Sequence, residues 1–249
     1  MLPPSTARLD GRTLLVTGAN GGLGTELVTQ AVRRGARTVY AAARSPQDWS
    51  EPGLDGRVVP VHLDVTDPAS VALAARTARH VDLVVNNAAI APAGDSITGP
   101  EAEVRRIFET NFFGPLRVAS TFAPLLAAHG GGTLVNVLSS AAWAGVPTAY
   151  GASKAALWAA TNALRLALEQ QGTHVVGVLV GMIDTPMSAR WDVPKVSPAD
   201  VVAQTFDGIA SGALEILADD EARQLKAALS TPAEQLYPFL HEQLRSFVP

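Results

Sequence analysis

The chain has 249 residues, of which 47% are hydrophobic, 17% charged and 6% aromatic, with no cysteine and a net charge of -4. That length suits one large domain or two small ones, and the ordinary apolar fraction and small net charge exclude a disordered chain. The lack of cysteine excludes disulfide scaffolds and cysteine-ligated metal sites, and the mild acidity argues against a nucleic-acid or anionic-membrane partner, both of which favour clustered Lys and Arg.

Read in chain order, short apolar runs alternate with longer Ala-rich stretches. Residues 13–17, 38–42, 58–63, 83–86, 133–138, 175–180 and 214–217 read as strands. They lack period-two alternation, the pattern of strands covered by helices on both faces. A first helix runs from about Gly22 to a glycine stop at Gly35. A second follows Asp67-Pro68, a start pair with proline in the first turn. Two long helices cover about 100–129 and 148–171, and another begins at Ser197-Pro198. The acidic run Asp219-Asp220-Glu221 favours a further helix start through the helix dipole. This regular alternation predicts an open, doubly wound parallel α/β sheet, with residues 1–249 as a single domain. The opening MLPPSTARLDGR lacks the apolar core of a secretory signal. The longest greasy run, 175–183, falls far short of the ~20 residues that span a bilayer. A soluble, cytoplasmic protein is the expectation.

The run Thr17-Gly18-Ala19-Asn20-Gly21-Gly22-Leu23-Gly24 lies where the first strand meets the first helix. Gly18 permits a tight turn, Gly22 lets backbone approach a pyrophosphate, and Gly24 lets the helix pack close to the sheet. The free amides and positive dipole end of that helix then bind phosphate. A tight turn alone also needs glycine, but LLVT before the run and an amphipathic helix after it are the context of a Rossmann-type dinucleotide site. The second strand ends Ala41-Ala42-Ala43-Arg44-Ser45, without the carboxylate that grips the ribose 2′-hydroxyl of NAD. Arg44 can pair with a 2′-phosphate instead, so NADP is expected over NAD. The plain alternative for Arg44 is a solvated residue at a strand end.

Tyr150 and Lys154 are four residues apart and share one face of a helix. A tyrosine hydroxyl, with an ordinary pKa near ~10, is a poor acid–base group until a nearby cation favours its phenolate. Lys154 supplies that cation one turn on. The preceding strand ends Asn136-Val137-Leu138-Ser139-Ser140, which offers a hydroxyl to a substrate carbonyl beside the phenol.

Together these motifs resemble the short-chain dehydrogenase/reductase family in its single-domain form. The resemblance spans residue 10 to about 220 and rests on TGANGGLG at 17–24, LDV at 63–65, NNAA at 86–89, Asn111 in TNFFG, NVLSS at 136–140, YGASK at 150–154 and VGMIDT at 180–185. It implies that Tyr150 protonates a carbonyl oxygen in reduction, or takes the proton in alcohol oxidation. Lys154 would lower the tyrosine's pKa and bind the nicotinamide ribose. Ser139 would steady the substrate oxygen, with Ser140, one residue later, as the alternative. Asn111 would hold a water in a proton relay to Lys154. For the cofactor, the resemblance implies contact by Gly18, Asn20, Gly21, Gly22, Leu23 and Gly24, and by Arg44 and Ser45 at the second strand's end. Asp64 and Val65 would meet the adenine, Asn87, Ala88 and Ala89 would lie along the cofactor, and Gly181, Ile183 and Thr185 would hold its nicotinamide end. A homodimer or homotetramer through the two long helices is implied as well.

Three features depart from the family pattern. Ala89 stands where glycine usually follows Asn-Asn-Ala, Val180 replaces the usual proline before Gly181, and the stretch from Ser139 to Tyr150 is shorter than common. Trp143, Met182, Met187 and Trp191 are candidates to line an apolar substrate pocket, or else plain core. The segment 186–197 beside the site is short and implies an open pocket without a large lid. The histidines are scattered without metal-ligand spacing, so no metal is expected. The resulting expectation is an NADP(H)-dependent carbonyl reductase, reversible as an alcohol dehydrogenase, acting on a small-molecule ketone, aldehyde or alcohol. A non-catalytic dinucleotide sensor or scaffold on the same fold, and an NAD-dependent alcohol dehydrogenase, are the alternatives. Halohydrin dehalogenation would want arginine in place of Lys154 and an altered glycine turn.

Overall fold

The computed structural model describes residues 9–50, 53–54 and 56–244; residues 1–8 of the opening segment read against a secretory signal lie outside them. The expected strands all form: β1 (Thr13–Thr17), β2 (Thr38–Ala43), β3 (Val58–His62), β4 (Leu83–Asn86), β5 (Gly132–Val137), β6 (Thr173–Leu179) and β7 (Glu215–Leu217). They pair in parallel, in the order β3-β2-β1-β4-β5-β6-β7. β1 and β4 are buried at every residue, which is why their sequences show no polar alternation.

Helices cover both faces. α1 (Gly22–Arg33) and α6 (Pro198–Ala210) pack on one side, through Leu27, Val28, Val201 and Phe206. α2 (Pro68–Thr77), α4 (Gly114–Ala128) and α5 (Ala149–Ala167) cover the other, through Val71, Val118, Phe122 and Leu164. α1 stops just before Gly35, whose φ of 95° few other residues adopt. Asp67 caps α2 as its position before Pro68 implies, accepting from the Ala69 amide at 2.9 Å.

The long helix expected over 100–129 is interrupted. α3 (Glu101–Phe108) passes into a π-helical turn, Glu109–Phe113, before α4 begins. The wider turn accommodates a fully buried Asn111, and at Gly114 a Cβ would lie 2.8 Å from Val65 Cγ2. After β7, α7 (Asp220–Ala228) and α8 (Ala233–Leu244) fold back over the ends of β5 and β6. There Leu225 and Leu240 join Leu138, Trp143, Leu157 and Leu179 in a separate apolar cluster. Among the described residues no helix is long and apolar enough to cross a membrane.

The strand order reverses at β1, which has β2 on one side and β4 on the other. Such a switch point opens a crevice at the carboxyl ends of the strands. The loops carrying Gly18 and Asn87 leave the sheet there.

Candidate active site

A cavity of about 1570 Å3 runs along those carboxyl ends. Pockets for one small ligand usually measure about 300–1,000 Å3, so this one has room for a dinucleotide and a second molecule. Gly18, Asn20, Gly21, Gly22, Leu23 and Gly24 line one end, with Arg44, Ser45, Asp64 and Val65. Asn87, Ala88 and Ala89 lie along its middle. Ser139, Tyr150, Lys154, Gly181 and Ile183 line the other end, and Thr185 stands against the glycine turn at Gly22.

At the first end the wall is made of backbone. Gly18 has φ 65°, and a Cβ there would sit 2.9 Å from the Ala88 Cα. A Cβ on Gly24 would lie 2.2 Å from the Gly18 carbonyl oxygen, and one on Gly22 would lie 2.9 Å from Thr185 Cγ2. Asn87 braces this turn: its Nδ2 donates to the carbonyls of Thr17 and Gly18 at 2.9 and 3.1 Å. Asn20 Nδ2 donates to the Ser45 carbonyl at 2.6 Å, which ties the turn to the strand end that carries Arg44. Side chains cap α2, α5, α6 and α7, whereas none caps α1 at Gly21. Uncapped amides at a positive helix end, with no Cβ in front of them, suit a phosphate group. The residues present therefore fit a dinucleotide. Nearby, Asp64 Oδ1 accepts from the Thr66 amide and hydroxyl at 2.9 and 2.7 Å. Burial pushes the Asp64 carboxyl up, but those bonds and the charges of Arg44 and His62 hold it below the usual carboxylate range.

At the second end, Tyr150 and Lys154 stand on the first turns of α5. Thr148 caps that helix by accepting from the Gly151 amide at 3.0 Å. Asp95, from the loop after β4, accepts from the amides of Ala149 at 3.0 Å and Tyr150 at 2.8 Å. A buried chain runs from Asn86 Nδ2 to Asn136 Oδ1 and from Asn136 Nδ2 to Thr161 Oγ1, both at 2.9 Å, and fixes α5 against β4 and β5. Burial raises the Tyr150 pKa, and the Ser139 hydroxyl offsets this only in part, so the phenol keeps its proton at neutral pH. Lys154 Nζ donates to the Val137 carbonyl at 2.7 Å and lies 5.7 Å from the Tyr150 ring centre. Burial lowers its pKa to about 8, so it is still cationic at pH 7.

The two candidate serines separate. Ser139 lies beside the Tyr150 hydroxyl, while Ser140 Oγ donates to Glu221 Oε1 at 2.7 Å. Asn111 does not line the cavity. Its Oδ1 accepts from the Ile90 amide at 2.8 Å, and its Nδ2 donates to the Ile90 carbonyl at 2.9 Å and to Ser153 Oγ at 3.2 Å. The side chain is a brace for the loop after β4.

Of the proposed pocket residues, Met182, Met187 and Trp191 line the cavity and Trp143 does not. The 3-10 turn Ser140–Ala142 carries Trp143 into the core, where it is 6% exposed and packs edge-on against Trp158 at 5.7 Å between ring centres. The substrate side also has walls that the sequence patterns did not single out. Glu221, Gln224, Leu225 and Ala228 of α7 and Leu236 and Leu240 of α8 all line it. Beside the short segment 186–197, the two C-terminal helices supply that side of the cavity. Arg190 bridges another edge: its Nη2 donates to the carbonyls of Ala91 and Pro92 at 3.0 and 3.3 Å, and its guanidinium stacks 3.7 Å above Trp191. No local signal marks Asp95 or Glu221 in the sequence, because their partners lie far along the chain.

Residues 12–195 match the model of the short chain dehydrogenase family. The short-chain dehydrogenase PC-15 of Penicillium crustosum is 36% identical over 71% of this chain and 68% of its own. The 1-deoxy-11-beta-hydroxypentalenate dehydrogenase of Streptomyces exfoliatus is 31% identical over 86% of both chains. Among solved structures, a short chain dehydrogenase from Burkholderia cenocepacia in complex with NADP is similar with a TM-score of 0.84. It is 33% identical, and the match covers 95% of this chain and 99% of that one. The family match stops at residue 195, before α6, α7 and α8 begin.

Proposed function

The chain belongs to the short-chain dehydrogenase family of oxidoreductases, and we propose that it is an NADP(H)-dependent enzyme interconverting a ketone or aldehyde with the corresponding alcohol. One observation carries this reading: a protonated phenol, a buried ammonium and a hydroxyl meet in the same cavity as an uncapped, glycine-walled helix start.

The dinucleotide, when bound, supplies or accepts the hydride. Residues 18–24 would hold its phosphates, Asp64 and Val65 its adenine, Asn87 to Ala89 its middle, and Gly181, Ile183 and Thr185 its nicotinamide end. Tyr150 gives its proton to the carbonyl oxygen in reduction, and its phenolate takes it back in oxidation. Lys154, cationic below its pKa of about 8, stabilises the phenolate that remains. Ser139 donates to the substrate oxygen as negative charge develops there. Asn111 supports the site by holding the Ile90 backbone, beside the water relay that the resemblance implies.

The preference for NADP over NAD rests on Arg44 and on the missing carboxylate at the end of β2. The NADP-bound Burkholderia relative supports it. Exposed Phe113 and Leu166, at 48% and 77%, support a homodimer or homotetramer built on the π-helical turn and α5. A cytoplasmic location fits a cysteine-free chain.

The test is consumption of NADPH and of NADH at pH 7 across a panel of ketones, aldehydes and oxo-steroids. The expected result is oxidation of NADPH with at least one class and slower oxidation of NADH. Tight dinucleotide binding without consumption of either cofactor across the panel would contradict the reading and favour a sensor.

A further inference from the structure

The substrate half of the cavity has a wall whose polar groups take no part in the proton transfer. Glu221, Gln224, Leu225 and Ala228 follow one another at helical spacing on one face of α7. Leu236 and Leu240 of α8 extend the same surface, which is apolar apart from Glu221 and Gln224. The two oxygens of Glu221 are not equivalent. Oε1 accepts from Ser140, whereas Oε2 has no hydrogen-bond partner among the described residues. Oε2 lies against Gly181, where a Cβ would be only 2.4 Å from it and 3.0 Å from Asp219 Oδ2, which is already occupied by the Gly181 amide. Gly181 is followed by Met182 and Ile183, which also line the cavity. Glu221 is an exposed residue, so water can satisfy Oε2, and a substrate that displaces the water must replace its hydrogen bond.

We propose that Glu221 is a specificity-determining residue, and that the site takes a bulky, largely apolar carbonyl compound bearing a second, neutral hydroxyl that donates to Glu221 Oε2. This inference rests on the reading of the Tyr150 centre as a carbonyl reductase. The leucines of α7 and α8, with Met182, offer the apolar body of such a compound a dry surface. A hydroxyl suits this wall better than an ammonium, because those side chains strip water at far greater cost from a full charge. Gln224, one turn beyond Glu221, can donate to the same hydroxyl, so both of its hydrogen-bonding capacities are met. α7 and α8 follow the residues that the family model matches, so this selectivity rests on C-terminal elements rather than on the shared motifs.

The experiment compares phenylcyclohexanone with counterparts carrying one hydroxyl on either ring, reduced with NADPH by the full-length protein and by Glu221→Gln and Glu221→Ala. The readout is the ratio of kcat/KM between hydroxylated and plain ketone. The wild type is expected to favour at least one hydroxylated ketone by about tenfold or more. Glu221→Gln keeps an acceptor but loses its charge, and should shrink that ratio; Glu221→Ala should bring it close to one. A wild-type ratio near one, or variants that slow plain and hydroxylated ketones equally, would overturn the assignment and leave Glu221 as a support for Ser140. Turnover of the plain ketone by the wild type tests the carbonyl-reductase reading separately, so the two ideas fail in different ways.

Discussion

At the dinucleotide end of the cavity Gly18, Gly22 and Gly24 leave no space for a Cβ, and Asn87 bonds the carbonyls of the turn itself. At the substrate end Met182, Trp191, Leu225 and Leu240, drawn from separate segments, bring large side chains to the wall. At Gly18 and Gly24 an added Cβ meets backbone that cannot yield, and at Gly22 it meets the Thr185 side chain. A wall of side chains can be recut one residue at a time without moving the sheet. The family match covers the first wall completely and ends before the helices of the second. In the proposed reading, cofactor use rests wholly on residues inside the family match, and substrate choice draws on residues both inside and beyond it.

Substitutions that affect one end alone would sharpen this contrast, and an effect that crosses between the ends would break it. The largest effect is expected at Gly24, whose Cβ would meet the Gly18 carbonyl at 2.2 Å. Gly24→Val should abolish dinucleotide binding in a fluorescence titration and lower the melting temperature; normal NADPH affinity would show that the wall is not rigid. Next comes Arg44→Asp, which places a carboxylate where a 2′-phosphate would bind. It should weaken NADPH by about a hundredfold and NADH far less, as two charge-assisted bonds are replaced by repulsion. Equal losses would reject Arg44 as the phosphate clamp. The smallest effect belongs to the other end. Leu240→Ala should raise KM for bulky ketones several-fold while leaving the NADPH dissociation constant unchanged. A core Leu→Ala change typically costs about 2–5 kcal/mol, so a melting curve should accompany the kinetics. A parallel loss of NADPH affinity would mean that the two ends are coupled.

The same contrast decides what could be read from the sequence. Gly18, Gly24 and Gly35 are legible because each is demanded by its own local backbone, and Asp67 because an N-cap acts on the next few residues. Tyr150 and Lys154 are legible because helical spacing alone puts them together. The strands are legible because burial on both faces removes polar alternation. The π-helical turn at Asn111 was not, since nothing in an apolar helical pattern marks the extra residue. Asp95 braces the backbone of Tyr150, and Glu221 reaches Ser140, through contacts that exist only once the chain has folded. The acidic run at 219–221 shows both cases. Asp219 caps α7 as its position suggests, accepting from Ala222 at 2.8 Å, and it also accepts from Gly181 at 2.6 Å, which no local rule foresees. For Trp143 the sequence leaves pocket and core both open, because nearness to Ser139 does not say which way a 3-10 turn points the ring, and the structure selects the core.

The central claim is that one phenol supplies the proton at a site whose cofactor end works without it. Steady-state NADPH oxidation by Tyr150→Phe, measured beside NADPH affinity, tests this most directly. The account predicts binding within about twofold of the wild type and turnover reduced by about 10^3, the scale of a lost general acid. Undiminished ketone reduction by Tyr150→Phe would contradict it.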